Sequence, residues 1–150
     1  MGETARLVFR PMTTDDADKL AALDAQCFKQ ADAWNSGDFF SAAMDANFAF
    51  VVGERGGEIV ACAGAEISAD QAEVETVAVA PEFRGRGVGK KLLAELLDVL
   101  TGRGVTFVVL EVRPSNAAAV KLYDSFDFQI VERAENFYGD EDAWIMVREF

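Results

Sequence analysis

Three residues in the last third of the chain have the types and spacing needed for acid–base chemistry. In the stretch LEVRPSNAAAVKLYDSF, Glu111 closes an apolar run, and Asn116 and Tyr123 follow it seven positions apart. Residues at this spacing lie on one face of a helix. A carboxylate at the end of a strand and a phenol on the next helix can converge on the crevice where α/β sheets bind ligands.

A converging carboxylate and phenol suit a reaction in which one group loses a proton and another gains one, and the transfer of a group from a thiol to an amine is one such reaction. Glu111, with a pKa raised by burial, could accept the proton of an attacking amine, and Tyr123 could return a proton to the departing thiolate. A free α-amino group has a pKa near 8 and needs only a weak base. A lysine side chain costs roughly 3 pKa units, or about 4 kcal/mol, at neutral pH, which favours an α-amine. Taken alone, Glu111 could be a surface residue and Tyr123 a core residue.

A glycine-rich turn, FRGRGVGKK, separates a predicted strand from an amphipathic helix. A helix start offers unpaired amides and a positive dipole to a phosphate, and glycines let a ligand approach the backbone. The turn lacks the nucleoside-triphosphate loop pattern, because Arg84 stands at the first glycine and Lys91 at the Ser or Thr. It also lacks the dinucleotide fingerprint, because Lys90 stands at the third glycine and the turn follows a hairpin. A tight turn with a solvated basic face is the structural alternative.

The absence of histidine removes several classes of active site. A Ser–His–Asp triad, a Cys–His pair and a histidine-ligated zinc site are all excluded. Cys27 and Cys62 are too few for a metal site and are not expected to form a disulfide, and Cys62 lies in an apolar stretch typical of a core. A net charge of −12 argues against nucleic-acid binding. The same charge permits attraction to a cationic partner, although it also serves solubility.

Hydropathy and length predict one cytoplasmic domain spanning residues 1–150. No apolar run approaches the ~20 residues needed to span a bilayer, so no membrane association is expected. The segment from Met1 to Arg10 lacks the apolar region of a secretion signal, and Arg6 departs from the myristoylation pattern. The chain has 150 residues, of which 51% are hydrophobic, enough for one buried core.

The candidate residues need an α/β framework to bring them together. Periodicity and turn signals predict, in order, a strand, two helices, three strands, a helix, a strand, a helix and two strands. Thr13 or Thr14 should cap the first helix, and Ser115 should cap the helix that carries Tyr123. The predicted fold is α/β, with a central mixed sheet of six to seven strands flanked by about four helices.

The glycine turn also carries a family resemblance. Together with the preceding VAVAPEFRGRG and the leucine-rich helix after it, the pattern Arg84-x-x-Gly87-x-Gly89 resembles the Arg/Gln-x-x-Gly-x-Gly/Ala signature of the GNAT superfamily of acyl-CoA-dependent N-acyltransferases. This resemblance implies acetyl-CoA as cosubstrate, no metal, and a backbone amide of residues 77–79 that polarises the thioester carbonyl. The pyrophosphate is expected on the amides of the turn and the pantetheine arm along the strand before it. The implied cofactor-binding residues are Val77, Ala78, Val79, Arg84, Gly85, Arg86, Gly87, Val88, Gly89, Lys90 and Asn116.

A narrower resemblance covers most of the chain and is strongest over residues 74–146. The stretch around Glu111 and Tyr123 and the tail NFYGDEDAWIM are similar to the RimI-type subgroup, whose members acetylate the N-terminal alanine of a small-subunit ribosomal protein. The subgroup implies that Glu111 is the proton acceptor and Tyr123 the proton donor. It also implies that Asn116 contacts coenzyme A and that Tyr138 contacts the N-terminus of the substrate.

Three departures from the subgroup leave the exact acceptor open. Asp127 replaces a glycine that normally takes the left-handed conformation after the tyrosine helix. Extra residues and a missing proline alter the segment around Trp34, which helps to form the peptide site. Phe137 replaces a tyrosine and removes a substrate hydroxyl. The acidic run 140–142 is interpreted as a solvated turn rather than as a substrate anchor.

Three functions are compatible with these residues. The leading one is an N-terminal protein acetyltransferase that acts on a ribosomal-protein alanine. The second is an acetyltransferase of the same fold that acts on a small-molecule amine or a lysine side chain. The third is a non-catalytic acyl-CoA-binding module, against which the presence of both Glu111 and Tyr123 counts. The sequence leaves the oligomeric state open.

Overall fold

Seven strands form one mixed sheet in the computed structural model, which describes residues 6–150. The strands are β1 (Leu7–Pro11), β2 (Phe48–Arg55), β3 (Glu58–Ser68), β4 (Gln71–Val79), β5 (Phe107–Val112), β6 (Gln129–Ala134) and β7 (Ala143–Glu149). The helices are α1 (Ala17–Cys27), α2 (Ser36–Ala43), α3 (Val88–Gly102) and α4 (Ala117–Ser125). The spatial order is β1-β2-β3-β4-β5-β7-β6, and every neighbouring pair is antiparallel except β4 and β5.

The predicted order of elements is confirmed, and so is the α/β class with a mixed sheet and four helices. Two short 3-10 segments, Thr14–Asp16 and Pro81–Phe83, were not predicted. Residues 1–5 lie outside the described residues. They include the start of the predicted first strand and half of the segment tested for a secretion signal.

The parallel strands β4 and β5 diverge after a short pairing. Only Gln71–Glu73 of β4 pair with Phe107–Val109 of β5, although β4 continues to Val79 and β5 to Val112. The later halves of both strands therefore leave unpaired backbone groups along a wedge between them. The wedge opens at the carboxyl ends of two parallel strands, which is where α/β sheets bind ligands.

Helix α3 packs its apolar stripe against the sheet and holds the glycine turn at the wedge. All six predicted stripe residues are buried, namely Val88, Leu92, Leu93, Leu96, Leu97 and Leu100. The helix lies against β2, β3 and β4, and α1 also packs on β3 and β4. Residues 60–65 of β3 are all buried, and because successive side chains point to opposite faces, both faces of the sheet are covered there.

The predicted cap of α4 is wrong by one residue. Asn116, not Ser115, is the N-cap, because its side-chain Oδ1 accepts a hydrogen bond from the amide of Ala119 at 3.2 Å. Ser115 instead donates its amide and its hydroxyl to the carboxylate of Glu141, both at 2.8 Å. At the other end of the helix, Asp127 has a φ of 66°, which is the left-handed conformation expected of the glycine it replaces.

Two further sequence expectations can be compared with the described residues. Cys62 is buried in the core as predicted, Cys27 is half-buried, and neither is in a disulfide. Among residues 6–150, no helix combines the length and the apolar character that crossing a bilayer requires.

Candidate active site

The wedge between β4 and β5 contains a cavity of about 150 Å³. Its walls come from both strands, from α1 and α4, and from the loops after α1 and β6. The lining residues are Asp24, Phe28, Asp32, Val74, Glu75, Thr76, Val77, Leu110, Glu111, Val112, Arg113, Asn116, Ala119, Tyr123 and Tyr138. The structure thus brings together five residues singled out from the sequence: Val77, Glu111, Asn116, Tyr123 and Tyr138.

Glu111 is half-buried in this cavity, and its surroundings make it a stronger base than an ordinary carboxylate. Burial, followed by interaction with Glu73 and by the negative charge of Glu75, raises its pKa to about 8. A carboxylate with this pKa is matched to an amine whose own pKa is near 8, because proton transfer between the two is close to balanced.

Tyr123 is buried beside the same cavity and keeps its proton. Its ring packs edge-on against Phe128, with 5.9 Å between centroids, and only 7% of the residue is exposed. Burial, and to a lesser degree Tyr138, raises the pKa of Tyr123 well above its ordinary value near 10. Among the described residues, none is hydrogen bonded to its hydroxyl. A protonated phenol without a protein partner can donate to a ligand in the cavity.

Glu73 and Glu75 were not singled out from the sequence, although both help to raise the pKa of Glu111. Glu73 lies beside Val109 in the parallel pairing, so alternation places Glu75 on the same face of the sheet as Glu111. Burial, and then the charges of Glu73 and Glu66, raise the pKa of Glu75 to about 7. Their alternating spacing in β4 was visible in the sequence, but the register that brings them to Glu111 was not.

Asp24 is a second acidic residue that sequence reasoning missed. It is 1% exposed on α1, accepts a hydrogen bond from the Thr76 hydroxyl at 2.9 Å and another from the Trp34 amide at 3.0 Å. Burial raises its pKa. These bonds hold the segment around Trp34 against both α1 and β4. The sequence of this segment departs from the RimI-type pattern, which is one reason why the identity of the acceptor could not be predicted.

The glycine turn lies beyond the end of β4, outside the lining of the cavity, and its backbone is left-handed at two glycines. Gly85 and Gly87 have φ values of 75° and 79°, a conformation that other residues adopt at a cost. No hydrogen bond within residues 6–150 uses the amides of Gly85, Arg86 or Gly87, and Val88, Gly89 and Lys90 form the first turn of α3. The turn therefore presents a run of unpaired amides at a helix start, which suits a phosphate.

Side chains around the turn hold it against the wedge. Arg84 donates from Nε to the carbonyl of Val79 at 3.0 Å, and the Arg86 guanidinium lies 5.4 Å from the ring centre of Phe83. A Cβ at Gly89 would lie 3.6 Å from a methyl group of Leu122, so α3 and α4 approach closely there. Ala78 is buried and pairs with Cys62 of β3, so only its backbone is available to a ligand.

Tyr138 reaches the cavity from the β6–β7 loop, and the acidic run after it is not simply solvated. The Arg113 guanidinium lies 4.2 Å from the ring centre of Tyr138. Asp140 and Glu141 both accept from Arg113, and Asp142 accepts from Arg133 at 2.6 Å. The run 140–142 lies in an exposed turn, as predicted, and each of its carboxylates also has a protein partner at the surface.

The site contains groups for proton transfer and phosphate binding, and residues 6–150 contain no cluster of three or more Cys, Asp or Glu placed to hold a metal ion. A diverging mixed sheet, a glycine turn that opens a helix, and a carboxylate and phenol in the wedge are together compatible with acyl transfer. Comparison with known protein families matches residues 15–128 to the acetyltransferase (GNAT) family. The chain belongs to this family and is an acyl-CoA-dependent acetyltransferase.

Individual relatives support the family assignment over nearly the whole chain. The N-alpha-acetyltransferase RimI of Mycobacterium tuberculosis is 35% identical over 98% of this chain and 95% of its own length. The crystal structure of the ribosomal-protein-S18-alanine N-acetyltransferase from Escherichia coli superposes with a TM-score of 0.87 at 30% identity, covering 96% and 94% of the two chains. Arabidopsis thaliana NAA60 in complex with acetyl-CoA shares the fold, with a TM-score of 0.85 at 22% identity over 97% and 99% of the chains.

Proposed function

We propose that this chain transfers the acetyl group of acetyl-CoA to the α-amino group of a protein N-terminus, and that the acceptor is the N-terminal alanine of a small-subunit ribosomal protein. The observation that carries the proposal is the meeting of Glu111 and Tyr123 in one cavity at the wedge of the sheet. The names of the M. tuberculosis and E. coli relatives point to the same class of acceptor. Such a reaction on newly made ribosomal protein belongs in the cytoplasm.

In this proposal Glu111 acts as the general base. The acceptor enters the cavity with its amine as an ammonium ion, which the surrounding carboxylates favour. Glu111 takes a proton, directly or through a water molecule, and the nitrogen lone pair attacks the carbonyl carbon of the thioester. When the carbon–sulfur bond breaks, the nitrogen loses its second proton, which returns through water to the phenolate that Tyr123 leaves after protonating the sulfur, and Glu111 releases its own proton to solvent.

Tyr123 acts as the general acid at the sulfur. As the carbon–sulfur bond breaks, its electron pair leaves with the sulfur, and the phenol of Tyr123 protonates the thiolate. The burial that raises the pKa of Tyr123 keeps the phenol in its protonated form until then. Tyr138, on the opposite loop, is assigned to contact the acceptor N-terminus, because its ring lines the same cavity.

The acetyl donor is assigned to the turn before α3 and to the free edge of β4. Unpaired amides of residues 85–90 suit the pyrophosphate, and the edge of β4 at residues 77–79, which has no partner strand on the β5 side, suits the amides of the pantetheine arm. A backbone amide of this strand would polarise the thioester carbonyl as charge develops on its oxygen. Asn116 uses Oδ1 to cap α4, which leaves its Nδ2 as a donor toward the cofactor.

An acetyltransfer assay with a peptide that begins with alanine tests the proposal. Glu111→Gln removes the base and Tyr123→Phe removes only the hydroxyl, so we expect each to lower kcat by about 10²- to 10⁴-fold. Glu95→Gln, at an exposed position of α3, is the matched control and should keep the wild-type rate. Full activity in both Glu111→Gln and Tyr123→Phe would refute the assigned roles.

The choice of acceptor separates the proposal from its two alternatives. Acetylation of spermidine or free lysine, with none on alanine peptides, would mean that the chain acts on small amines. Binding of acetyl-CoA without turnover on any amine would mean that the chain is a non-catalytic module. Mass spectrometry of protein N-termini in cells lacking the chain identifies the natural acceptor, and loss of one acetylated ribosomal alanine is the expected result.

A further inference from the structure

Arg113 is the basic residue among those that line the cavity, and the proposed reaction does not use it. It follows β5 directly, two positions after Glu111, so the two side chains leave the strand on the same face. Its side chain is 13% exposed and lines the cavity with Glu111. A guanidinium with so little exposure needs anionic partners, because desolvating an unpaired cation is costly.

The guanidinium of Arg113 joins two loops that come from distant parts of the chain. Its Nε donates to Asp32, in the α1–α2 connection, at 2.9 Å. Its Nη1 donates to Asp140 at 2.8 Å and to Glu141 at 3.2 Å, both in the β6–β7 loop. Its face also stacks on the ring of Tyr138. We call this set the Arg113 bridge: Arg113, Asp32, Tyr138, Asp140 and Glu141.

Little else holds the two loops together. Within residues 6–150, no backbone hydrogen bond joins the α1–α2 connection to the β6–β7 loop. The other ion pair between the two loops within residues 6–150 joins Lys29 to Asp140, whose side chains are 62% and 53% exposed. Exposed pairs of this kind contribute little, typically about 0–1 kcal/mol. The ion pairs of Arg113, whose side chain is 13% exposed, are therefore the less exposed of the ionic links between the two loops.

Members of the bridge also line the cavity that contains Glu111 and Tyr123. Phe28 and Asp32 of one loop and Tyr138 of the other belong to its lining. The glycine turn assigned to the donor lies outside that lining, beyond the end of β4. A change in the bridge should therefore alter the space for the acceptor while leaving the glycine turn of the donor site intact.

We propose that Arg113 is a positioning residue for the acceptor: it clamps the α1–α2 connection to the β6–β7 loop and so shapes the site that receives the substrate N-terminus. This inference rests on the proposed N-terminal acetylation. Arginine suits the role because its planar fork holds two or more carboxylates and a ring at once. A lysine has neither the fork nor the flat face.

Steady-state kinetics with both substrates varied tests the role of Arg113. We expect Arg113→Gln to raise KM for an alanine peptide at least tenfold and to leave KM for acetyl-CoA within about twofold of wild type. Arg113→Lys should lie in between, because it restores the charge without the fork. Arg133→Gln is the matched control: it breaks the pair with Asp142 beside the same loop but outside the cavity lining, and should change neither KM.

A second variant covers the case in which Arg113→Gln does not fold. Asp32→Asn leaves Arg113 bound to Asp140 and Glu141 and releases only the α1–α2 connection, so it should raise the peptide KM by a smaller factor. Where both single variants fold, the double variant should add little to Arg113→Gln, because the two residues act through one contact.

The outcomes separate this inference from the proposed function. Equal increases in both KM values, or kinetics of Arg113→Gln and Asp32→Asn indistinguishable from those of Arg133→Gln, would overturn the role of Arg113 alone. A wild-type chain that acetylates no peptide N-terminus would overturn the proposed function, and the inference with it.

Discussion

At the level of single residues, the carboxylates around the proposed base raise its pKa. Glu111 has a raised pKa because burial disfavours its charge and because Glu73 and Glu75 lie on the same face of the neighbouring strand. The charge of Arg113, two positions away, is shared among Asp32, Asp140 and Glu141 and does little to offset this effect. A neutral-range base thus arises without histidine.

This arrangement predicts a pH profile that Glu75 controls. Glu111 must be ionised to accept a proton, so kcat/KM should rise with pH up to about 8. Glu75→Gln removes a negative neighbour, which favours the ionised form of Glu111, so the rise should move to lower pH by roughly one unit. The measurement is kcat/KM for an alanine peptide from about pH 6 to pH 10.

Deprotonation of the free acceptor amine also changes the rate with pH, and controls separate the two effects. The pKa of the free peptide does not depend on the enzyme, so the amine contribution stays in place in Glu75→Gln. Glu95→Gln, an exposed carboxylate on α3, should leave the whole profile unchanged. A Glu75→Gln variant without activity would instead indicate that Glu75 is the base.

The sequence predicted the convergence of the proposed reacting side chains better than it predicted their neighbours. Glu111, Asn116 and Tyr123 lie in one short stretch, so strand and helix periodicity sufficed to place them together. The acidic neighbours come from β4, and the Arg113 bridge comes from loops on either side of it. Their contacts depend on strand register and loop packing, which local periodicity does not determine.

At the level of elements, the start of α3 decides whether the donor can bind. Gly87 is the residue before the first turn and has a φ of 79°, a conformation that costs other residues roughly 1–2 kcal/mol. Gly87→Ala should therefore shift the turn, misalign its amides and raise the Kd of acetyl-CoA about tenfold. Isothermal titration calorimetry with acetyl-CoA measures this change.

The other end of the same helix provides the control for Gly87→Ala. Gly102 is the last residue of α3, and a Cβ there would meet no atom within 4 Å. Gly102→Ala should bind acetyl-CoA as the wild type does and stabilise the helix slightly. A folded Gly87→Ala variant with unchanged affinity would remove the turn from the donor site.

The order of the elements could be predicted from the sequence, but the divergence of β4 from β5 could not. Alternation and helical stripes identified all seven strands and four helices, because each pattern is local. The divergence of β4 and β5 after three residue pairs depends on what packs against each strand. The predicted cap of α4 was wrong for a similar reason. Glu141, which is distant in sequence, accepts hydrogen bonds from the amide and hydroxyl of Ser115, and Asn116 caps the helix instead.

At the level of the whole molecule, charge is divided between the two substrates. The net charge is −12, yet Arg84, Arg86, Lys90 and Lys91 concentrate four of the 14 basic residues in the turn assigned to the donor phosphates. Four carboxylates line the acceptor cavity, those of Asp24, Asp32, Glu75 and Glu111. The anionic donor and the cationic acceptor are therefore each met by opposite charge.

This division predicts that the acidic surface selects acceptor peptides by their charge. Among peptides that begin with alanine, one with lysines at the following positions should have a kcat/KM about tenfold higher than one with glutamates at low ionic strength, because steering raises the encounter rate. Raising the salt from about 20 mM to about 300 mM shortens the screening length several-fold and should remove most of the difference. A glutamine-containing peptide is the control, with an intermediate value that changes little with salt. Equal kcat/KM for the lysine and glutamate peptides at low salt would mean that the net charge serves solubility alone.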